Sequence, residues 1–124
     1  VEDAKNAVKI GATAIMISNH GGRQLDGSRS PFDQLKEILD AVGGQIEVIC
    51  DGGIRRGTHI LKAISLGANA CSGGRLYLYA LAAAGEKGVE KSLSNLKNEL
   101  IRNMKLMGCK KISDLSKKNI RFRE

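Results

Sequence analysis

Short apolar runs alternate with stretches of helical spacing along this chain. Thr13 to Ile17 is apolar and of strand length, Gln45 to Cys50 is a second run dominated by Ile46, Val48 and Ile49, and Asn69 to Ser72 is a shorter third. Between them lie helical patterns. Ala4, Ala7 and Val8 form a stripe within Glu2 to Ile10, with acids early and Gly11 placed to stop it. Leu35, Ile38, Leu39 and Val42 repeat at helical spacing after Ser30, a good N-cap, and Pro31, suited to the first helical position because its missing N–H costs nothing there. Gly43 and Gly44 end that helix. Ile60, Leu61 and Ile64 mark a third helix from about Thr58 to Leu66, closed by Gly67.

From Leu76 the pattern is helical. Leu76 to Ala84 reads as one short helix, and Val89, Leu93, Leu96, Leu100 and Met104 mark a longer one ending near Gly108. Lys111 to Leu115 reads as a last turn, and Lys117 to Glu124 as a mobile tail. The turn Leu66-Gly67-Ala68-Asn69-Ala70 echoes Ile10-Gly11-Ala12-Thr13-Ala14, a weak internal repeat of helix end, Gly-Ala and strand. Strands alternating with helices predict parallel βαβ units, which a doubly wound sheet and part of a (β/α)8 barrel both satisfy. No Gly-x-Gly-x-x-Gly follows the first strand, which weakens the dinucleotide-binding version. Polar residues at several successive strand ends favour the barrel. Three strands cannot close one, so the expectation is a fragment of a larger fold; a start at Val1, already in helical pattern, points the same way.

The three strand ends share a design. Ile17 runs into Ser18-Asn19-His20-Gly21-Gly22-Arg23, Cys50 into Asp51-Gly52-Gly53-Ile54-Arg55, and Ser72 into Gly73-Gly74-Arg75. Glycine pairs let a ligand approach the backbone, and helix N-termini just beyond offer free N–H groups suited to phosphate. Gly53 with Arg55, and Gly74 with Arg75, are therefore candidates for an anion site; the plainer alternative is that the glycines only make tight turns. Histidine is the side chain most used for acid–base chemistry near neutral pH, which makes His20 a candidate base. Arg23 could hold a carboxylate bidentately. A base beside a carboxylate anchor suits the oxidation of a 2-hydroxy acid.

Composition changes this picture little. The chain has 124 residues, enough for one small domain, with 42% hydrophobic and 27% charged residues as in globular proteins. The net charge of +7 invites a nucleic-acid reading, and the excess lies late, in Lys105, Lys110, Lys111, Lys117, Lys118, Arg121 and Arg123. Aromatic content of 3% supplies no stacking platform, so a solvated basic tail is preferred and no nucleic-acid partner is expected. Cys50, Cys71 and Cys109 show no CxxC spacing, which argues against a disulfide framework or zinc site and for reduced thiols. No metal is expected. His59, early in a helix, reads as a surface residue. Ser18 lacks a Gly-x-Ser-x-Gly elbow, against a serine hydrolase.

Ser18-Asn19-His20-Gly21-Gly22-Arg23-Gln24-Leu25-Asp26 resembles the active-site signature of the FMN-dependent 2-hydroxy-acid dehydrogenases and oxidases, the family of glycolate oxidase, flavocytochrome b2 and bacterial L-lactate dehydrogenase. Asp51-Gly52-Gly53-Ile54-Arg55-Arg56-Gly57-Thr58 looks like its flavin-phosphate segment, a less specific text that other phosphate-binding barrels share. The resemblance continues through Gly74-Arg75 and the late helix to Leu115, and covers only about the carboxyl-terminal third of the family's domain. It implies the last three strands of a (β/α)8 TIM barrel with their helices, residues 1–115 as a partial FMN-binding domain and 116–124 as a basic tail. It implies His20 as the base, Arg23 on the substrate carboxylate, Ser18 near the flavin ring, Asp51, Gly52, Gly53, Ile54 and Arg55 around the ribityl and phosphate, and Gly74 and Arg75 completing the phosphate site. Leu76 departs from the Pro common after Gly-Arg, and Leu76-Tyr77-Leu78-Tyr79-Ala80-Leu81 is closer to the lactate dehydrogenase branch. Gly73 replaces a bulkier apolar residue common there. The family's Lys, Tyr, second Arg and His-orienting Asp belong to earlier strands and are not assigned in this chain. The implied activity is oxidation of a small L-2-hydroxy acid, L-lactate first, as part of a larger enzyme, the chain alone being inactive; a non-catalytic FMN- or phosphate-binding half-barrel is the alternative. The implied partner is a second copy or the missing amino-terminal half of the barrel. The expected location is the cytoplasm, with the inner membrane as the alternative for a longer protein.

Overall fold

A computed structural model describes residues 1–122. The chain order is α1 (Glu2–Lys9), β1 (Ala14–Ser18), a 3₁₀ turn (His20–Gly22), α2 (Pro31–Val42), β2 (Glu47–Asp51), α3 (Gly57–Leu66), β3 (Ala70–Ser72), α4 (Arg75–Leu106) and two more 3₁₀ turns (Ile112–Asp114 and Lys117–Asn119). The strands form one parallel sheet in the order β1-β2-β3. Sequential order without reversal is how a barrel wall is laid down, whereas a doubly wound sheet reverses at a switch point.

Side-chain alternation gives the sheet two unlike faces. Ile17, Val48 and Cys50 are buried on one face against Leu35, Ile38 and Val42 of α2, Ala63 and Leu66 of α3 and Ala4 of α1. The register pairs Met16 with Ile49 and Ile49 with Ala70, so these residues share the other face. Met16 there is 54% exposed. The described residues therefore cover one face with helices and leave the other open, as a barrel wall does toward its interior.

The helix boundaries follow the expected punctuation. The Ser30 hydroxyl accepts from the Asp33 N–H and Pro31 opens α2, while Gly43 closes it in the left-handed conformation. The break expected between two late helices is present inside α4, at Ala84 (φ −152°) and Gly85 (φ 59°, ψ −144°). Leu93, placed on the buried stripe by periodicity, is 54% exposed; Met104 anchors the far end in a second small cluster with Leu61 and Leu115. The expectation of a mobile tail from Lys117 is corrected. Lys117–Asn119 is a 3₁₀ turn, the Lys117 ammonium lies 3.4 Å from Asp40, and Ile120 packs against the main core. A basic run read as solvated hid one apolar anchor. Arg123 and Glu124, the end of that expected tail, lie outside the described residues.

α4 approaches α3 closely at Gly57, where a Cβ would stand 2.5 Å from the Leu100 nitrogen. Only glycine fits. At the same point Glu99 caps α3, its carboxylate accepting from the Gly57 N–H at 2.6 Å and pairing with Arg56 at 2.5 Å. Arg56, then the Gly57 N–H, hold the Glu99 carboxyl below the usual glutamate range. A carboxyl whose folded pKa is depressed contributes stability above its unfolded value, about 4.3, and loses it as pH falls through the lower folded value. Glu99→Gln is therefore expected to lower the thermal unfolding midpoint near neutral pH, with the gap from the unaltered chain closing below about pH 4. A gap that stays constant in acid would show that the carboxylate charge is not what caps α3.

Candidate active site

The strand ends are level. Ser18 pairs with Asp51, and Asp51 with Ser72, so the three following loops open on one side. They enclose a cleft of about 500 Å³ lined by His20, Gly21, Arg23, Asp51, Gly52, Gly53, Ile54, Arg55, Gly74 and Arg75 from the loops, with Leu76, Leu78 and Tyr79 from the start of α4. Nine of the ten residues singled out from sequence thus meet in one place. The tenth, Ser18, stands at the edge, its hydroxyl donating to Asp51 Oδ2 at 2.6 Å. Ile54 borders the cleft but is 6% exposed, so its side chain belongs to the packed interior.

His20 has a left-handed backbone, φ 52°, the only such non-glycine residue among those described. That conformation costs an L-residue about 1–2 kcal/mol, so it must be held from outside. Four contacts hold it. The His20 N–H donates to Ser18 Oγ at 3.1 Å, and Ser18 in turn donates to Asp51. Asn19 Oδ1 accepts from the Gly21 N–H at 3.1 Å, an Asx-type turn, and the Asn19 carbonyl accepts from the Gly22 N–H at 2.9 Å. The Arg75 guanidinium crosses from the start of α4 to donate to the Gly21 carbonyl at 2.8 Å.

Charge in the cleft is lopsided. Arg23, Arg55 and Arg75 face a single carboxylate, Asp51, which favours an anion. The N-terminus of α4 adds to this. Gly74 is its N-cap and no side chain caps it, so its first N–H groups stay available beside the cleft. The N-terminus of α3 is different, because Glu99 occupies the Gly57 N–H. Nothing stands within 4 Å of where a Cβ would lie on Gly53 or Gly74, so a phosphate can approach the main chain at both. These features fit a phosphate-bearing ligand. Among the described residues no cluster of His, Cys, Asp and Glu could hold a metal ion, and no helix is long and apolar enough to cross a membrane.

Sequence reasoning passed over three residues that shape the site. Asn19 carries the turn after β1; its position before a His-Gly-Gly run was the available signal. Glu99 caps α3 from forty-two residues away, which no local pattern shows. His59, read as a surface side chain, points its Nδ1 at the loop it follows, 3.2 Å from the Arg55 nitrogen and 3.0 Å from the Gly53 carbonyl oxygen.

Gly21 and Gly22 separate strain from contact. Both have left-handed backbones, φ 70° and 72°, but a Cβ on Gly21 would lie 2.5 Å from Arg75 Nη2, whereas Gly22 faces open space. Gly22→Ala is expected to cost about 1–2 kcal/mol in urea unfolding, from backbone strain alone. Gly21→Ala carries the same strain and also displaces Arg75, so it should cost more. Equal losses in the two variants would mean that the Arg75 contact does not hold the His20 turn.

The model of the FMN-dependent dehydrogenase family matches residues 1–122. The chain is 48% identical over 120 residues to a peroxisomal (S)-2-hydroxyacid oxidase of Arabidopsis thaliana, covering 97% of this chain and 33% of that protein. It is 51% identical over 114 residues to an L-lactate oxidase of Nostoc sp., covering 92% and 31%. With an L-lactate dehydrogenase of Actinobacillus pleuropneumoniae it shares 49% over 116 residues, covering 94% and 30%. Among solved structures it superposes on mandelate oxidase with benzoyl-formic acid at a TM-score of 0.87 and 49% identity, covering 92% of this chain and 34% of that one. The chain thus spans about a third of the length of these relatives. Its parallel sheet and helices are a part of a (β/α)8 barrel. The chain belongs to the FMN-dependent dehydrogenase family.

Proposed function

We propose that this chain supplies the cofactor-phosphate and substrate-carboxylate side of an enzyme that oxidises a small L-2-hydroxy acid, L-lactate first, to its 2-oxo acid. The observation that carries the reading is the single cleft that holds His20 and Arg23 beside Gly53, Arg55, Gly74 and Arg75. The names of its relatives, L-lactate oxidase and L-lactate dehydrogenase, support the choice of acid.

The residues divide the work by charge and position. Arg23 holds the substrate carboxylate, with two parallel N–H donors available for its two oxygens. His20 takes a proton from the substrate, its ring presented to the cleft by the left-handed turn. Gly53, Arg55, Gly74 and Arg75 hold the phosphate of FMN through main-chain N–H groups and guanidinium charge. Ser18, at the edge of the cleft and bonded to Asp51, would lie near the flavin ring, and Asp51 with Gly52 and Ile54 would meet the ribityl and phosphate region. FMN, when bound, would supply the acceptor for the two electrons and the second hydrogen that leave the substrate.

The site is half of one. The described residues leave one sheet face open, and Tyr77, Leu78, Tyr79 and Leu81 are exposed on the first part of α4. In this reading the rest of a barrel covers them, a second copy being the other way to do so.

FMN titrated into the 124-residue chain should bind with quenching of its fluorescence, and L-lactate added without oxygen should leave the yellow colour unbleached. Adding the amino-terminal two thirds of the Nostoc L-lactate oxidase should restore bleaching. In that mixture His20→Gln is expected to lower the rate about 10²–10⁴-fold. Bleaching by the chain alone would contradict its incompleteness. FMN binding that never supports bleaching, even in the mixture, would favour a non-catalytic binding role.

A further inference from the structure

The loop from β2 to α3 owes its path to a side chain that follows it. His59 lies in the first turn of α3 and is outside the cleft lining. Its Nδ1 reaches back to both ends of the stretch Gly53-Ile54-Arg55, at 3.0 Å from the Gly53 carbonyl oxygen and 3.2 Å from the Arg55 nitrogen. With its lone pair free, Nδ1 accepts from the Arg55 N–H; with a proton, it donates to the Gly53 carbonyl. In either state one ring atom ties this stretch to a rigid helix.

That stretch needs tying. Gly53 is left-handed, φ 70°, in open space, and Arg55 is exposed beyond it. Ile54 alone is buried. A glycine held by nothing would sample many conformations, and ordering it on ligand binding would cost affinity. A loop already fixed avoids that cost.

We propose that His59 is a positioning residue for the cofactor phosphate, fixing the Gly53–Arg55 turn in the open shape that receives it. This rests on the reading of the cleft as an FMN site. His59 touches the loop and not the ligand, so its effect is confined to the part of the ligand that meets the loop. The chemistry predicts a split between two probes: FMN carries the phosphate, and riboflavin has the same ring and ribityl chain without it.

The test uses the 124-residue chain and fluorescence titration with both probes. His59→Leu fills the space without a polar atom and is expected to weaken FMN about tenfold, the loss of one loop-fixing hydrogen bond, while leaving riboflavin within about twofold. His59→Asn places an amide oxygen or nitrogen where Nδ1 stood and should restore FMN affinity to within about threefold. Thermal melts by circular dichroism report whether each variant is folded. FMN affinity unchanged in His59→Leu, equal losses for FMN and riboflavin, or no rescue by His59→Asn would each overturn the positioning role while leaving the cleft reading intact. Failure of the unaltered chain to bind FMN would instead overturn the cleft reading, and this role with it.

Discussion

The register of three parallel strands is the constraint on which the rest depends. Ser18, Asp51 and Ser72 finish in one row. Because they finish level, three loops that are far apart in sequence open on the same side, and glycines and arginines from each reach a common space. A slip of one residue in β2 would turn Asp51 toward the helices and Cys50 toward the cleft. The apolar face prevents that slip, since it would expose Val48 and Cys50, both fully buried, and bury Glu47. The hydrophobic core therefore places the polar chemistry, although it touches none of it.

The cysteines show the same division. Cys50 and Cys71 are paired in register, one residue short of the polar row. Burial, with Asp51 next to it, raises the Cys50 thiol above its ordinary range. Burial and then Cys50 push Cys71 up to about 12. Thiols so raised stay protonated at neutral pH and act as small apolar groups. The strands thus change character within one step, from packed neutral sulfur to half-buried carboxylate and hydroxyl.

Much of this was legible in the chain. Period-two and period-3.6 patterns marked the strands and helices, because each element buries one face. Ser30-Pro31 and Gly43 marked the ends of α2 through local main-chain chemistry. Three similar strand ends suggested one site, and the level register brings them together. What escaped depended on distance or on a single side chain. Glu99 caps a helix that begins forty-two residues earlier, and Gly57 is required by the backbone of α4 rather than by its own turn. Ile120 anchors a segment whose charge suggested solvent. His59 looked like an exposed helical residue because its partners are main-chain atoms, which carry no identity in a sequence.

Arg75 shows why guanidinium, rather than ammonium, stands at the junction of the two halves of the cleft. One of its five N–H donors is spent on the Gly21 carbonyl, which steadies the turn that carries His20. The remaining donors stay in the same plane, directed away from that bond and available to an anion. A lysine could place a charge there, but its three donors radiate from one freely rotating nitrogen and lack the planar fork that fixes one bond on the carbonyl while aiming others at a phosphate. In the proposed reading, the group that neutralises the cofactor phosphate is thus also the group that holds the base in a strained turn. Filling the phosphate site would then restrict Arg75 further and, through Gly21, make the left-handed His20 more secure. Substrate chemistry at one end of the cleft would depend on occupancy at the other through one rigid side chain, with no movement of the sheet between them.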